Sequence, residues 1–285
     1  MWKGVSVVFA IALVLANGEP VPRNQKNGEF SRYYLYNSNV TGVPLLQAGP
    51  AATDLKEDVP TVVLVHGHGG SYLTSLNLDV RRELLESEDV NVIVVDWSIY
   101  ASMTYAQAQA AVLSVAQYLA NALRNNDVPP GSLHLVGFNL GAHIAGIAGR
   151  LIGGVARVTG LDPSQSPIKL SITDAKYVEV IHTDASGTVL SNGIGEKLGH
   201  ADFYPNGGRT QPGCANNECH HNRAWLYFAA SIRDKTFNAN CCSTISEKDS
   251  NTCRLSTLPM GTNRLSKTPC LSGIYRVNTG NTYPF

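Results

Sequence analysis

The sequence predicts an α/β fold, an open and mostly parallel sheet with helices on both faces. Three observations predict it. Short β-branched apolar runs recur along the chain, helical patterns lie between several of them, and the runs are almost continuous in apolarity, as a strand buried on both faces requires. The composition allows such a core. The 285 residues are 44% hydrophobic and only 15% charged, enough for one large domain and unlike a disordered chain. Lys+Arg and Asp+Glu both number 22, so the balance offers no basis for a nucleic-acid partner or an electrostatic membrane anchor.

The elements follow in order. Lys3, an apolar run over residues 5–15 broken by Ser6, and the small residues Ala16 and Gly18 predict a secretory signal over residues 1–18. The run is too short to cross a bilayer core of about 30 Å, and no second long apolar run exists, so transmembrane anchoring is not expected. Residues 19–285 then form a single exported domain. Residues 17–31, rich in Pro, Asn and Gly, read as a loose segment, and Asn39-Val40-Thr41 is a glycosylation sequon. Strands are expected at 61–66 (TVVLVH), 91–97 (NVIVVDW), 132–138 (SLHLVGF), 155–161 (VARVTGL) and 177–182 (YVEVIH). Tyr105, Ala108, Val112, Val115, Leu119 and Ala122 make one apolar helical face, which Asn125, Asn126, Pro129 and Pro130 terminate. Residues 141–151 and 221–235 are shorter helical candidates.

Beyond Asp234 the chain turns polar and cysteine-rich and reads as a tail of the same domain. All six cysteines lie in the last quarter, and in an exported chain they predict three disulfides. Local spacing favours Cys214–Cys219. Cys241 and Cys242 then take Cys253 and Cys270 in either order. No CxxC pair is present, and the histidines at 66, 68, 220 and 221 lack carboxylate or cysteine spacing for zinc, so no metal and no cofactor is expected.

Chemistry is expected outside the carboxyl ends of the strands. There, Gly137-Phe138-Asn139-Leu140-Gly141 follows a strand and opens a helix, the setting of the G-x-S-x-G nucleophile elbow. Its sharp turn excludes side chains at both glycines and holds the central residue at positive φ, which Asn tolerates. His66-Gly67-His68-Gly69-Gly70 follows the first strong strand and suits a loop that donates an oxyanion-hole N–H, with His68 and Leu140 as donors. Asp162 follows another strand, and His221 lies further on. The order 139, 162, 221 is that of nucleophile, acid and histidine. Taken singly, Asp162 also reads as a turn-capping carboxylate and His221 as a packed histidine beside a disulfide. His66, Asp96, His182 and Asp184 read as structural residues at strand ends.

On these residues the chain resembles the pancreatic lipase family, close to its insect members and to the yolk proteins of flies. The resemblance runs over roughly residues 60–230. It rests on His66-Gly67, Val95-Asp96-Trp97, the segment from Gly137 to His143, Gly160-Leu161-Asp162-Pro163, His182-Thr183-Asp184, the segment from Gly199 to Gly208, Gln211-Pro212-Gly213-Cys214, and Cys219-x-His221-x-Arg223. It implies an α/β-hydrolase fold, Asp162 as acid, His221 as histidine, and His68 with Leu140 as oxyanion hole. It places the catalytic serine at Asn139. The family's lid between two cysteines is here only residues 215–218, as in phospholipase A1-like members. Asp174 stands in the family's calcium loop, but Ser171 replaces a second carboxylate, so calcium is not expected.

Histidine cannot activate an amide as it does a hydroxyl. The amide nitrogen's lone pair is delocalised, and its oxygen has no proton to give. Loss of the nucleophile costs about 10⁶ in turnover, leaving about 10³–10⁴-fold over water from binding and the oxyanion hole. The sequence therefore predicts a non-catalytic carrier, storage or binding protein for lipid or another apolar small molecule. The alternatives are a weak or unusual carboxylic ester hydrolase, of triacylglycerol lipase or phospholipase A1 type, and a purely structural protein.

Overall fold

The structure, a computed structural model, describes residues 28–48, 51–187, 191–233 and 236–285. The expected signal at 1–18 lies outside them. Among the described residues eleven strands form one sheet: β1 (Arg32–Tyr36), β2 (Thr41–Leu45), β3 (Thr61–Val65), β4 (Asn91–Asp96), β5 (Leu133–Phe138), β6 (Arg157–Leu161), β7 (Tyr177–Ile181), β8 (Ala201–Pro205), β9 (Phe237–Cys242), β10 (Thr257–Met260) and β11 (Ile274–Val277). Their spatial order is β10-β9-β11-β8-β7-β6-β5-β3-β4-β1-β2. The central strands from β4 to β11 pair in parallel, while β1, β2, β9 and β10 add antiparallel edges.

The five expected strands form within two residues of their predicted limits, and every residue of β3, β4, β6 and β7 is buried. Between the strands run α1 (Ser75–Ser87), α2 (Ser98–Ala101), α3 (Tyr105–Asn125), α4 (Leu140–Ile152), α5 (Asn217–Arg233) and α6 (Ile245–Ser250). Helices α3 and α4 pack on one face of the sheet over Val63, Val65, Leu135 and Val158. Helices α1 and α5 pack on the other over Val62, Leu64, Val136 and Phe203. This is the α/β-hydrolase architecture, with a helix layer burying each face of the sheet.

Local chemistry fixes the helix ends. Thr104 and Gln107 close a reciprocal capping box at the start of α3, which satisfies N–H groups that the helix cannot. At its far end the Asn126 amide donates to the Ala122 carbonyl at 2.8 Å. Helix α4 is buried through its first ten residues and lies so close to its neighbours that a Cβ on Gly146 would stand 2.5 Å from the Asp174 carboxylate.

One sequence expectation is corrected. Residues 28–31, within the stretch read as loose, form a packed turn in which Ser31 N–H donates to the Gly28 carbonyl and Phe30 N–H donates to the Tyr100 hydroxyl. The polar tail also carries strands that the sequence did not predict, because β9, β10 and β11 extend the sheet beside β8. The disulfides are Cys214–Cys219, Cys241–Cys270 and Cys242–Cys253, which settles the order left open by the sequence. A buried ion cluster also ties the tail to the sheet. Glu179 on β7 accepts from Arg157 at 3.1 Å and from Lys267 at 2.6 Å, and Arg157 also donates to the carbonyls of Gly261, Thr262 and Arg264.

Candidate active-site cleft

Strand order reverses at β5, whose neighbours are β3 and β6, so the carboxyl ends of these three strands meet at a topological switch point. Each contributes a segment of the site. Asn139 terminates β5 at φ 59°, ψ −122°, then α4 begins at Leu140. Gly137 and Gly141 permit the turn. A Cβ on Gly137 would lie 2.1 Å from the Gly141 carbonyl oxygen, and one on Gly141 would lie 2.3 Å from that of Val65. Leu140 provides the first N–H of α4, which has no partner within the helix. The loop after β3 brings His68 beside the elbow. A Cβ on Gly67 would meet the Asn139 Cβ at 2.6 Å, so the close passage requires glycine there.

Asp162 follows β6, is wholly buried, and adopts φ 40°. Its Oδ1 accepts from the backbone N–H groups of Thr183 at 2.7 Å and Asp184 at 3.2 Å. Its Oδ2 faces His221 Nδ1 at 2.6 Å. Gly193 crosses directly above it; a Cβ there would stand 2.4 Å from both carboxylate oxygens. His221 lies on α5, is 7% exposed, and packs against the Phe138 ring with centroids 4.3 Å apart.

Asn139, 8% exposed, completes the group. Its Nδ2 lies 2.9 Å from His221 Nε2, and its Oδ1 accepts from the His68 backbone N–H at 3.1 Å. An amide nitrogen can only donate, so Nε2 accepts and the Nδ1 proton points to Asp162. A protonated imidazole would set donor against donor at Nε2. The structure therefore brings Asn139, Asp162, His221 and His68 into one hydrogen-bonded chain.

The surrounding residues hold this chain in place. Asp184 Oδ1 accepts from Asn217 at the start of α5 at 2.8 Å, and Gln211 N–H donates to His220 Nδ1 at 2.9 Å, so both anchor the helix carrying His221. His66 accepts from Trp97 N–H through Nε2 at 3.2 Å, and His182 Nε2 meets Asp202 at 2.9 Å, each at a strand end and outside the Asn139 chain itself. Ser164 is buried, and its carbonyl contacts His143 at 2.7 Å; His221 Nε2 is held by Asn139 instead. Gly193 and Asn217 were not singled out by sequence, and Gln211 and Asp184 were named without these contacts. Their side chains or lack of one matter only through contacts distant in the chain.

Calcium does not fit at the loop around Asp174. Its Oδ2 accepts from Ser171 N–H at 2.8 Å, and the Arg150 guanidinium lies 3.6 Å from its Oδ1, a cation already beside the carboxylate. Among the described residues no cluster of three His, Cys, Asp or Glu side chains could hold a metal ion.

A cavity of about 250 Å³ opens beside the elbow. Leu76, Phe138 and Trp225 supply its apolar walls, and the 66–70 loop, Glu218 and Asn222 its polar ones. Glu218 belongs to the short segment between Cys214 and Cys219.

Residues 15–265 match the sequence profile of the family described as Lipase. The human inactive pancreatic lipase-related protein 1 is 34% identical over 261 residues, covering 78% of this chain and 56% of that protein. Pancreatic lipase-related protein 2 of Cavia porcellus is 36% identical over 222 residues, 71% of this chain and 51% of that protein. The pancreatic triacylglycerol lipase of Cavia porcellus is 34% identical over 260 residues, 78% and 56%. The chain thus spans about half the length of the curated relatives it matches. Their names fall on both sides of the activity question, so the residues of this chain must decide it.

Proposed function

The chain belongs to the pancreatic lipase family, and we propose that it is a secreted member that does not hydrolyse esters and holds a lipid or another small apolar molecule in its cleft. One observation carries the reading. A carboxamide occupies the tip of the elbow and donates to the histidine that would have to deprotonate it. Acyl transfer needs a nucleophile that passes a proton to the imidazole while its oxygen bonds to carbon. Asn139 has no such proton, and no other hydroxyl reaches His221 Nε2 among the described contacts.

The binding half of the proposal draws on the cavity beside the site and its apolar walls. Secretion is supported by the signal-like residues 1–18 and three disulfides, a pattern of oxidising compartments. No helix among the described residues is long and apolar enough to cross a membrane. Asn39 is exposed between β1 and β2, where a glycan would find room.

The test has two parts. Purified protein should release no product above buffer from short- or long-acyl esters. Mass spectrometry of an organic extract of the natively purified protein should find a bound apolar molecule. Ordinary turnover, or an empty cleft without affinity for lipids, would each remove one half of the proposal.

A second reading retains weak hydrolysis. It is favoured by the Asp162–His221 contact at 2.6 Å, a carboxylate–imidazole pair with the geometry of a working relay. In that case product release should vanish in His221→Ala.

A further inference from the structure

We propose that the Asn139 carboxamide is a built-in ligand of its own site and makes the cleft selective for neutral groups over oxyanions. The inference rests on reading residues 68, 139, 162 and 221 as a former hydrolase centre.

The polar chain is closed. Thr183 and Asp184 N–H groups satisfy Asp162 Oδ1, Asp162 Oδ2 accepts from His221 Nδ1, His221 Nε2 accepts from Asn139 Nδ2, and Asn139 Oδ1 accepts from His68 N–H. Each link in it joins a donor to an acceptor. A serine could not close it. Its single oxygen would face His221 and leave the His68 N–H free for the oxygen of a bound ester. Asparagine carries two heteroatoms on one rigid plane and reaches both partners at once. The His68 half of the oxyanion position is therefore filled from within.

The plug is also fixed. Its backbone lies in a left-handed turn, and the 66–68 backbone passes so close that a Cβ on Gly67 would stand 3.2 Å from Asn139 Oδ1. Rotating the amide to admit a carboxylate or phosphonate would break both of its hydrogen bonds together, because one plane makes both. A neutral ligand needs no such rotation. It gains its contacts from Phe138, Leu76 and Trp225 in the adjoining cavity.

The discriminating experiment follows the backbone amide resonance of His68 by NMR while butylphosphonate is titrated in. Wild type should show no shift at His68. Asn139→Gly, which keeps the left-handed turn without strain, should show a saturable shift with at least tenfold tighter binding. The same variant should hydrolyse p-nitrophenyl acetate at least tenfold faster than wild type. Water attacks the carbonyl carbon while His221 Nε2 takes its proton, the carbonyl oxygen rests on the His68 N–H, and p-nitrophenolate leaves. Adding His221→Ala should abolish that gain.

A saturable His68 shift in wild type overturns the proposal, and this measurement requires no altered protein to fold. If Asn139→Ser is active yet Asn139→Gly binds phosphonate no better than wild type, the plug is wrong while the former-hydrolase reading stands. If Asn139→Ser is inactive and His68 responds in no variant, both are wrong.

Discussion

At the scale of the residue, the site depends on atoms that glycine omits. Helix α4 begins where its backbone nearly touches β3, so Gly141→Ala forces a methyl group to within 2.3 Å of the Val65 carbonyl oxygen and 2.4 Å of that of His66. Neither oxygen is on a flexible side chain. The substitution should cost more than about 4 kcal/mol, the range reserved for steric and strain failures, and thermal melting would show it as a large fall in Tm or as failure to fold. Sequence made the elbow legible because the clash that Gly137 avoids is local, with the Gly141 carbonyl at the start of the next helix. It did not reveal Gly193, whose neighbour Asp162 lies thirty-one positions away and only becomes adjacent through the fold. The partner of the Asn139 oxygen was hidden for the same reason. The oxyanion role expected for His68 presumes a free N–H, whereas that N–H already donates to Asn139.

The elements show where periodicity informs and where it does not. Strands β3 to β7 were legible because burial on both faces demands uninterrupted apolar runs. Strand β9 alternates buried and exposed residues and carries two cysteines and two asparagines, so its FNANCC reads as polar tail. Sheet register, together with Cys241–Cys270, makes it a strand beside β11. Helix α1 buries Asn77 and Glu83 along with Leu76, Val80 and Leu84, which blurs its apolar face. The disulfides lend these elements unequal support. Closing the longer loop removes more entropy from the unfolded chain. Sequence separations of 29, 11 and 5 residues predict losses of roughly 3.5, 3 and 2 kcal/mol for Cys241–Cys270, Cys242–Cys253 and Cys214–Cys219. Paired Cys→Ala variants in denaturant titrations should fall in that order.

Over the whole molecule, buried histidines on either side of the sheet couple the fold to pH. His143 on α4 accepts from Leu170 N–H at 3.1 Å through Nδ1 and contacts the Ser164 carbonyl at 2.7 Å, and burial lowers its pKa to about 4. His134 on β5 is fully buried beside Arg157, and desolvation followed by that positive charge pushes it well below the usual imidazole range. Both are depressed in the folded state. Their stabilising contribution is thus complete above about pH 6.5 and declines as pH falls, because the unfolded chain takes up protons that the folded one refuses. For His143 the window runs from about 6.5 down to about 4 and corresponds to roughly 3 kcal/mol. Tm should fall across this range, and His143→Gln, though less stable at neutral pH, should show a shallower fall. A slope unchanged in the variant would assign acid sensitivity elsewhere. Protonating His143 also turns Nδ1 from acceptor to donor and breaks its bond to the Leu170 N–H, so acid should loosen the chain at Leu170 while the Ser164 contact remains.

The central claim is that the fold retains a complete hydrolase setting around one wrong side chain. Turnover of p-nitrophenyl butyrate by wild type and Asn139→Ser, side by side, tests it most directly. Wild type should match buffer, and the serine variant should exceed it by orders of magnitude, with an acyl group trapped on residue 139. Contradiction would take the form of ordinary wild-type turnover with an acyl or fluorophosphonate adduct on another serine, or a well-folded Asn139→Ser as inert as its parent.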